Sequence, residues 1–215
     1  MSASISAREA ILGRVRSAIA GTEQTSWEDV ARHYRQQRPA EDLVGLFCER
    51  VADYRATVER VAPGGLTTAI VAAAHTAGAR RVLAPAGVPH SWYEALTSEF
   101  AHVDDGTGID TAGLERVDAV ITTAVVGIAS TGTIVLDHGP GQGHRAVTLV
   151  PDVHICVVAE SQVADDVPDG LRRLDPARPM TFISGPSATS DIELKRVEGV
   201  HGPRTLHVLV TPDEP

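Results

Sequence analysis

Short apolar runs that alternate with helix-like segments predict an α/β fold: a mainly parallel sheet flanked by helices, with an N-terminal helical extension. Three observations carry that expectation. From Gly64 onward, strand-like and helix-like stretches follow one another in turn. Residues 118–125, "DAVITTAV", form a continuous apolar run of the kind buried on both faces of a sheet. Before Gly64, the apolar residues recur at helical rather than strand spacing. The division expected is residues 1–62 for the extension and 63–215 for the α/β domain.

Ser6-Ala7-Arg8-Glu9 has the capping-box pattern, and Ile11, Val15 and Ile19 continue at helical spacing until Gly21. Residues 22–40 are polar and irregular, a surface connection in which Trp27 and Tyr34 are the aromatic anchors. Phe47, Val51, Tyr54, Val58 and Val61 then make one apolar stripe, which predicts a second helix through Val61. "LTTAIVAAAHTAG" reads as helix, "RRVLAP" as strand, "SWYEALTSEF" as helix, "AHVDD" as strand and "TAGLERV" as helix. "GTIVLD", "AVTLVP" and "HICVVAE" are three strand-like runs with little room between them, which predicts an antiparallel excursion in the middle of the domain. "VADDVPDGLRRL" reads as helix, and "MTFIS", "SDIELKRV" and "TLHVLVT" as a closing strand–helix–strand unit.

The totals narrow the function classes. Hydrophobic residues at 43% and charged residues at 22% are ordinary globular usage, so the 215-residue chain can bury a real core. A net charge of −9 leaves no basic surplus to displace counterions from nucleic acid or anionic lipid. Cys48 and Cys156 stand far apart, without the clustering of a disulfide framework, a zinc-cysteine site or an iron–sulfur site. No apolar run approaches the roughly 20 residues of a membrane span, and "MSASISAREAILGRVRSAIAG" does not read as a signal peptide. The expectation is a soluble, cytoplasmic protein with no cofactor or metal of its own.

Two segments point to chemistry. In "ISGPSATSDIELKRV", Gly185, Ser187, Thr189 and Asp191 lie between a predicted strand and a predicted helix, where free backbone N–H groups and hydroxyls suit an anion. Ser190 with Glu193 also satisfies a capping box, a purely local reason for part of the pattern. In "GIASTGTIVLDHGPGQGHR", Ser130, Thr131, Gly132 and Thr133 form a small-residue turn suited either to a carboxylate or phosphate or to a tight hairpin. The glycines that follow suggest a mobile loop, with Arg145 as an anion clamp. His201 and Arg204 in "GVHGPR" are the candidate catalytic pair, orienting a carboxylate and transferring a proton. His154 and His207 fall inside predicted strands and read as core or edge histidines. Asp137, His138 and His144 lack any established metal-ligand spacing.

"TGTIVLD", "LVPDVHICVV" and "ISGPSATSDIELKRVEGVHGPRTLHVLV", in that order, closely resemble the LUD-domain family, the C component of bacterial lactate utilisation. The resemblance implies a fold similar to the NagB/RpiA/CoA-transferase group. It also implies a part in oxidising L-lactate to pyruvate alongside iron–sulfur partner proteins, with the clusters in those partners. The alternatives are a free-standing isomerase or acyl/CoA-transfer enzyme of that fold group, and a non-catalytic adaptor. Relatives often carry Ala-Glu-Thr-Gly where this chain has Ala129-Ser130-Thr131-Gly132. A serine there cannot form the acyl anhydride that a carboxylate nucleophile forms.

Overall fold

The computed structural model describes residues 6–22, 26–30, 41–103, 109–189, 197–199 and 201–212. The chain divides into two compact units, residues 1–36 and 37–215.

In the first unit, α1 spans Ala7–Ile19 and starts on the expected capping box. The Ser6 hydroxyl accepts from the Glu9 N–H at 3.2 Å, and the Ser6 N–H donates to Glu9 Oε2 at 3.0 Å. The Ser6 hydroxyl, 2.8 Å from Glu9 Oε2, and the Ser6 N–H hold the Glu9 carboxyl below its usual range. Ile11, Val15 and Ile19 are 60%, 50% and 47% exposed, so within the described residues the stripe of α1 is largely uncovered. A short 3₁₀ turn, Trp27–Asp29, follows and is capped by Ser26.

The second unit begins earlier than the sequence reading placed it. α2 (Leu43–Asp53) is capped by Asp42, which accepts from the Gly45 N–H at 2.8 Å. The apolar stripe expected to run as one helix to Val61 stops there. Arg55 takes a positive φ of 68°, and Val58 lies in a strand, β1 (Thr57–Arg60). Helical and strand spacing cannot be told apart over the last two apolar positions of the stripe, and pairing with the sheet decides the outcome.

The remaining elements are α3 (Leu66–Thr76), β2 (Arg81–Leu83), α4 (His90–Glu99), β3 (Ala101–Val103), α5 (Thr111–Leu114), β4 (Ala119–Thr123), β5 (Val126–Ile128) and β6 (Thr133–Leu136). They continue with β7 (Val153–Ala159), β8 (Val163–Ala164), α6 (Val167–Arg172), β9 (Thr181–Ile183), β10 (Ala188–Thr189), β11 (Val197–Glu198) and β12 (Thr205–Thr211). Six strands form one parallel sheet in the order β1-β12-β7-β4-β2-β3. A smaller sheet runs β8-β5-β6-β9, with β5 and β9 both antiparallel to β6.

The α/β expectation with a mainly parallel sheet therefore holds, and three local expectations do not. "AVTLVP" is a 3₁₀ turn, Arg145–Thr148, rather than a strand. "HICVVAE" leaves the expected meander and becomes β7, the centre of the parallel sheet, buried along all seven residues. In "VADDVPDGLRRL" the first two residues are β8, and the helix spans only Val167–Arg172. The helix expected over "SDIELKRV" falls on residues 190–196, outside the described residues, while Val197 is in β11.

The two faces of the sheet are covered differently. Period-two alternation sends Val153, Ile155 and Val157 of β7 to one face, packed with Ile70, Trp92 and Leu96 from α3 and α4. It sends Cys156 and Val158 to the other, with Phe47 and Val51 of α2 and Ile134 and Leu136 of the small sheet. A separate cluster of Leu83, Leu114, Val120 and Val147 brings α5 and the 145–148 turn over the β2–β4 side. The second face is thus roofed by two groups of elements, which leaves room for a seam between them.

The strand order reverses between β2 and β4, the point where an open α/β sheet usually receives a ligand at its carboxyl edge. Here the chain fills that place itself. The Gly141 N–H donates to the Ala86 carbonyl at 2.8 Å, and the Thr123 N–H donates to the Gly141 carbonyl at 3.0 Å. Gln142, 3% exposed, accepts through Oε1 from the N–H groups of Asp137 and His138. The segment expected to be a mobile loop is stitched into the sheet.

Candidate functional site

The seam on the second face holds a cavity of about 350 Å³, at the lower end of the range for small-molecule sites. Its floor is His154 and Leu206, paired neighbours near the amino ends of β7 and β12. One wall is Arg145, Thr148 and Leu149; the other is the stretch Thr181–Ala188, closed by His201–Pro203.

The misread "AVTLVP" segment is what builds the first wall. In a 3₁₀ turn residues i and i+3 eclipse, so Arg145 and Thr148 share one side. The Thr148 hydroxyl donates to the Arg145 carbonyl at 3.2 Å, which holds the turn. Arg145 is exposed, and among the described residues no carboxylate pairs with it.

The opposite wall is tied down by Ser187. Its N–H donates to the Pro203 carbonyl at 2.9 Å, its carbonyl accepts from the Gly199 N–H at 2.9 Å, and its hydroxyl accepts from the His201 N–H at 3.1 Å. Ser187 thereby holds the 199–203 stretch in place, and the His201 ring lines the cavity from an exposed position. Gly185 has a φ of 83°, and a Cβ built on it would lie 2.5 Å from Tyr54 Cβ. Its freedom serves close approach to the end of α2. Thr189 is in β10, and Asp191 lies outside the described residues.

The 130–133 turn stands apart from the cavity lining. It is a hairpin between β5 and β6, and the Ser130 N–H donates to the Asp165 carbonyl at 3.0 Å. Gly132 has a φ of 57°, and a Cβ there would lie 2.5 Å from the Arg50 backbone carbon. The space expected for a ligand is occupied by α2. One link does join the two segments: Thr131 Oγ1 meets Thr133 Oγ1 at 2.8 Å, and Thr133 Oγ1 meets Ser184 Oγ at 2.9 Å. This hydroxyl chain reaches the cavity wall only at Ser184.

Arg204 is a second correction. It forks onto Asp152 at 2.6 and 2.7 Å, a bidentate pair that raises its pKa further, and it does not line the cavity. With Nε and Nη2 committed to Asp152, it stands outside the lining to which His201 belongs.

The sequence reading missed His154, Thr148, Thr181 and Ser184. His154 is 1% exposed, and burial pushes its pKa down to about 4, so the ring is neutral near pH 7. Its Nε2 lies 2.7 Å from Thr122 Oγ1, which lies 3.7 Å from Cys156 Sγ. Burial pushes that thiol up to about 12. Thr181 Oγ1 is 3.2 Å from His138 Nε2, while His138 Nδ1 faces the Gly143 carbonyl at 3.2 Å. A carbonyl only accepts, so Nδ1 bears the proton and Nε2 of the neutral ring accepts from Thr181. The signal for His154 was present in the sequence, as one polar residue at the head of an otherwise apolar strand. Asp137 is bound to Arg178 at 2.8 Å, and among the described residues no three His, Cys, Asp or Glu side chains gather as a metal site. Among those residues, too, no helix is long and apolar enough to cross a membrane.

Comparison with known proteins agrees with this architecture. The LUD domain matches residues 90–211. A protein of Deinococcus radiodurans named lactate utilization protein C is 46% identical over 173 residues, 79% of each chain. A protein of the same name from Shouchella clausii is 28% identical over 191 residues, 81% of each chain. The crystal structure of a DUF162 family protein from Deinococcus radiodurans superposes with a TM-score of 0.68 at 39% identity, covering 82% of this chain and 99% of that one. With more than half its length matched by the domain and a relative this similar over most of both chains, the protein belongs to the LUD-domain family.

Proposed function

We propose that the chain serves a lactate-utilisation system and that the cavity beside Arg145 binds a small carboxylate of that system. Relatives named for lactate utilisation support the first half. One observation carries the second: an arginine without a carboxylate partner among the described residues stands at a cavity otherwise walled by two histidines, hydroxyls, backbone and apolar side chains. A guanidinium presents a planar fork that matches a carboxylate, and among the described residues no carboxylate competes for it. His201 would stand beside the bound anion. Iron–sulfur clusters, in this reading, belong to partner proteins, because cluster ligation takes about four cysteine thiolates and this chain has Cys48 and a buried Cys156.

Isothermal titration of the purified protein with L-lactate and pyruvate tests the site. Saturable binding is expected, and Arg145→Ala should weaken it by about tenfold or more, since a hydrogen bond to a charged group contributes roughly 1.5–3 kcal/mol. Silence with both acids would remove the site.

The adaptor reading draws on a different observation, the exposed Ile11, Val15 and Ile19 of α1. Removal of residues 1–36 that left lactate growth intact would rule it out.

A further inference from the structure

His154 is the one ring on the cavity floor, and its two nitrogens have different surroundings. Nε2 is taken by the Thr122 hydroxyl at 2.7 Å. Nδ1 has no hydrogen-bond partner among the described residues. Nor is it sealed: the only sealed, unpartnered side-chain polar atom among those residues is His102 Nε2. The ring therefore meets the cavity through Nδ1.

Which tautomer the ring adopts depends on Thr122, whose hydroxyl also lies 3.7 Å from Cys156 Sγ. Two arrangements keep Thr122 bonded to both Nε2 and the sulfur. In the first, Thr122 donates to Cys156 Sγ and accepts from Nε2–H, so Nδ1 is a bare acceptor. In the second, the Cys156 thiol donates to Thr122, Thr122 donates to Nε2, and Nδ1 carries the proton. The tautomers interconvert by exchange with solvent: one N–H bond breaks at one nitrogen and one forms at the other, and the ring is neutral before and after. Burial opposes the imidazolium that would erase the distinction.

We propose that His154 reads the oxygen on carbon 2 of a small acid held by Arg145, accepting from an α-hydroxyl in one tautomer and donating to an α-keto oxygen in the other. The cavity then takes both members of a 2-hydroxy/2-oxo acid pair, with Thr122 and Cys156 absorbing the change. This rests on the carboxylate reading of the cavity and names the substrate class for it.

Cys156→Ala removes the sulfur that accepts from Thr122 and leaves that hydroxyl to donate to Nε2, which favours Nδ1–H. Titration of the intact protein should find L-lactate and pyruvate bound with comparable affinity. Cys156→Ala should shift the ratio toward pyruvate by about tenfold, the worth of one hydrogen bond, and Cys156→Ser should restore it. Nitrogen-15 NMR of the histidines should place the His154 proton on Nε2 in the lactate complex and on Nδ1 in the pyruvate complex. The same tautomer in both complexes, or an equal loss for both acids in Cys156→Ala, overturns the tautomer reading while the site stands. Failure of both acids to bind the unaltered protein overturns the site and this inference with it.

Discussion

The hairpin turn at 130–133 and the cavity rim at 184–187 use the same vocabulary of glycine and hydroxyl residues, yet they do different work. In both, the glycine with positive φ faces α2: Gly132 against the Arg50 backbone, and Gly185 against Tyr54. In both, the hydroxyls are engaged with the protein, Thr131 and Thr133 with each other and with Ser184, and Ser187 with the 199–203 stretch. Only the rim borders open space, because the elements facing it, the 145–148 turn and β7, do not close over it. A segment rich in glycine and serine signals close backbone approach. What approaches, a helix or a ligand, depends on the element opposite. The features that mark this cavity as a site are an arginine without a partner among the described residues and a ring nitrogen still to be satisfied, and neither belongs to a glycine-rich motif.

The sharpest way to break the comparison is Gly132→Ala. The substitution places a Cβ 2.5 Å from backbone at a φ of 57°, and backbone cannot swing aside as a side chain can. Strain at the dihedral and forced displacement of α2 together should cost about 3 kcal/mol or more in urea unfolding. If the hairpin is a packing device, the folded fraction should bind pyruvate as the unaltered protein does. Weaker binding at unchanged stability would move the site back to the hairpin.

Much of the fold was legible because its signals are local and redundant. The apolar run 119–123, the Ser6–Glu9 cap and the strand–helix alternation each specify an element without help from distant residues. What failed were segments whose state is set by their neighbours in space. Val58 fits a helical stripe as well as a strand, and its partner is β12, about 150 residues away in sequence. "AVTLVP" has strand composition, yet Val147 is buried against Leu114 and Val120 as part of a 3₁₀ turn. The site was half legible for the same reason. Arg145, Ser187 and His201 stand in loops whose composition is unusual enough to draw notice. Arg204 pairs with Asp152, 52 residues distant, a partner that no local pattern in the sequence names. His154 was set aside because a histidine in a buried strand is usually a satisfied core residue, and only the cavity shows that one nitrogen is left over.

A second contrast, between floor and rim, is open to acid. Unfolded, an imidazole takes up a proton near pH 6.5; buried His154 resists it until about pH 4. Between those values the unfolded chain holds the extra proton, so the stability due to a neutral His154 is complete above pH 6.5 and declines as pH falls. The slope from this residue should approach 1.4 kcal/mol per pH unit, for a total of about 3 kcal/mol. Urea unfolding at intervals from pH 7 to 4 should show the slope flattened in His154→Gln relative to the unaltered protein. His207, also lowered by burial, adds a contribution of the same sign that both proteins share.

Ser187→Ala should have the smallest effect, and its smallness is informative. The substitution deletes one bond, from the His201 N–H to the Ser187 hydroxyl, at a rim position where water can replace it. The two backbone bonds of residue 187, to Pro203 and from Gly199, do not need a side chain and persist. The cost should be about 1 kcal/mol or less. Hydrogen exchange should speed up at the His201 amide and stay unchanged at the amides of Ser187 and Gly199. The carboxylate affinity should fall little, because Arg145 is carried by the opposite wall. A loss of affinity as large as that of Arg145→Ala would mean that the Ser187 hydroxyl itself touches the ligand, making the rim a direct contact rather than a frame.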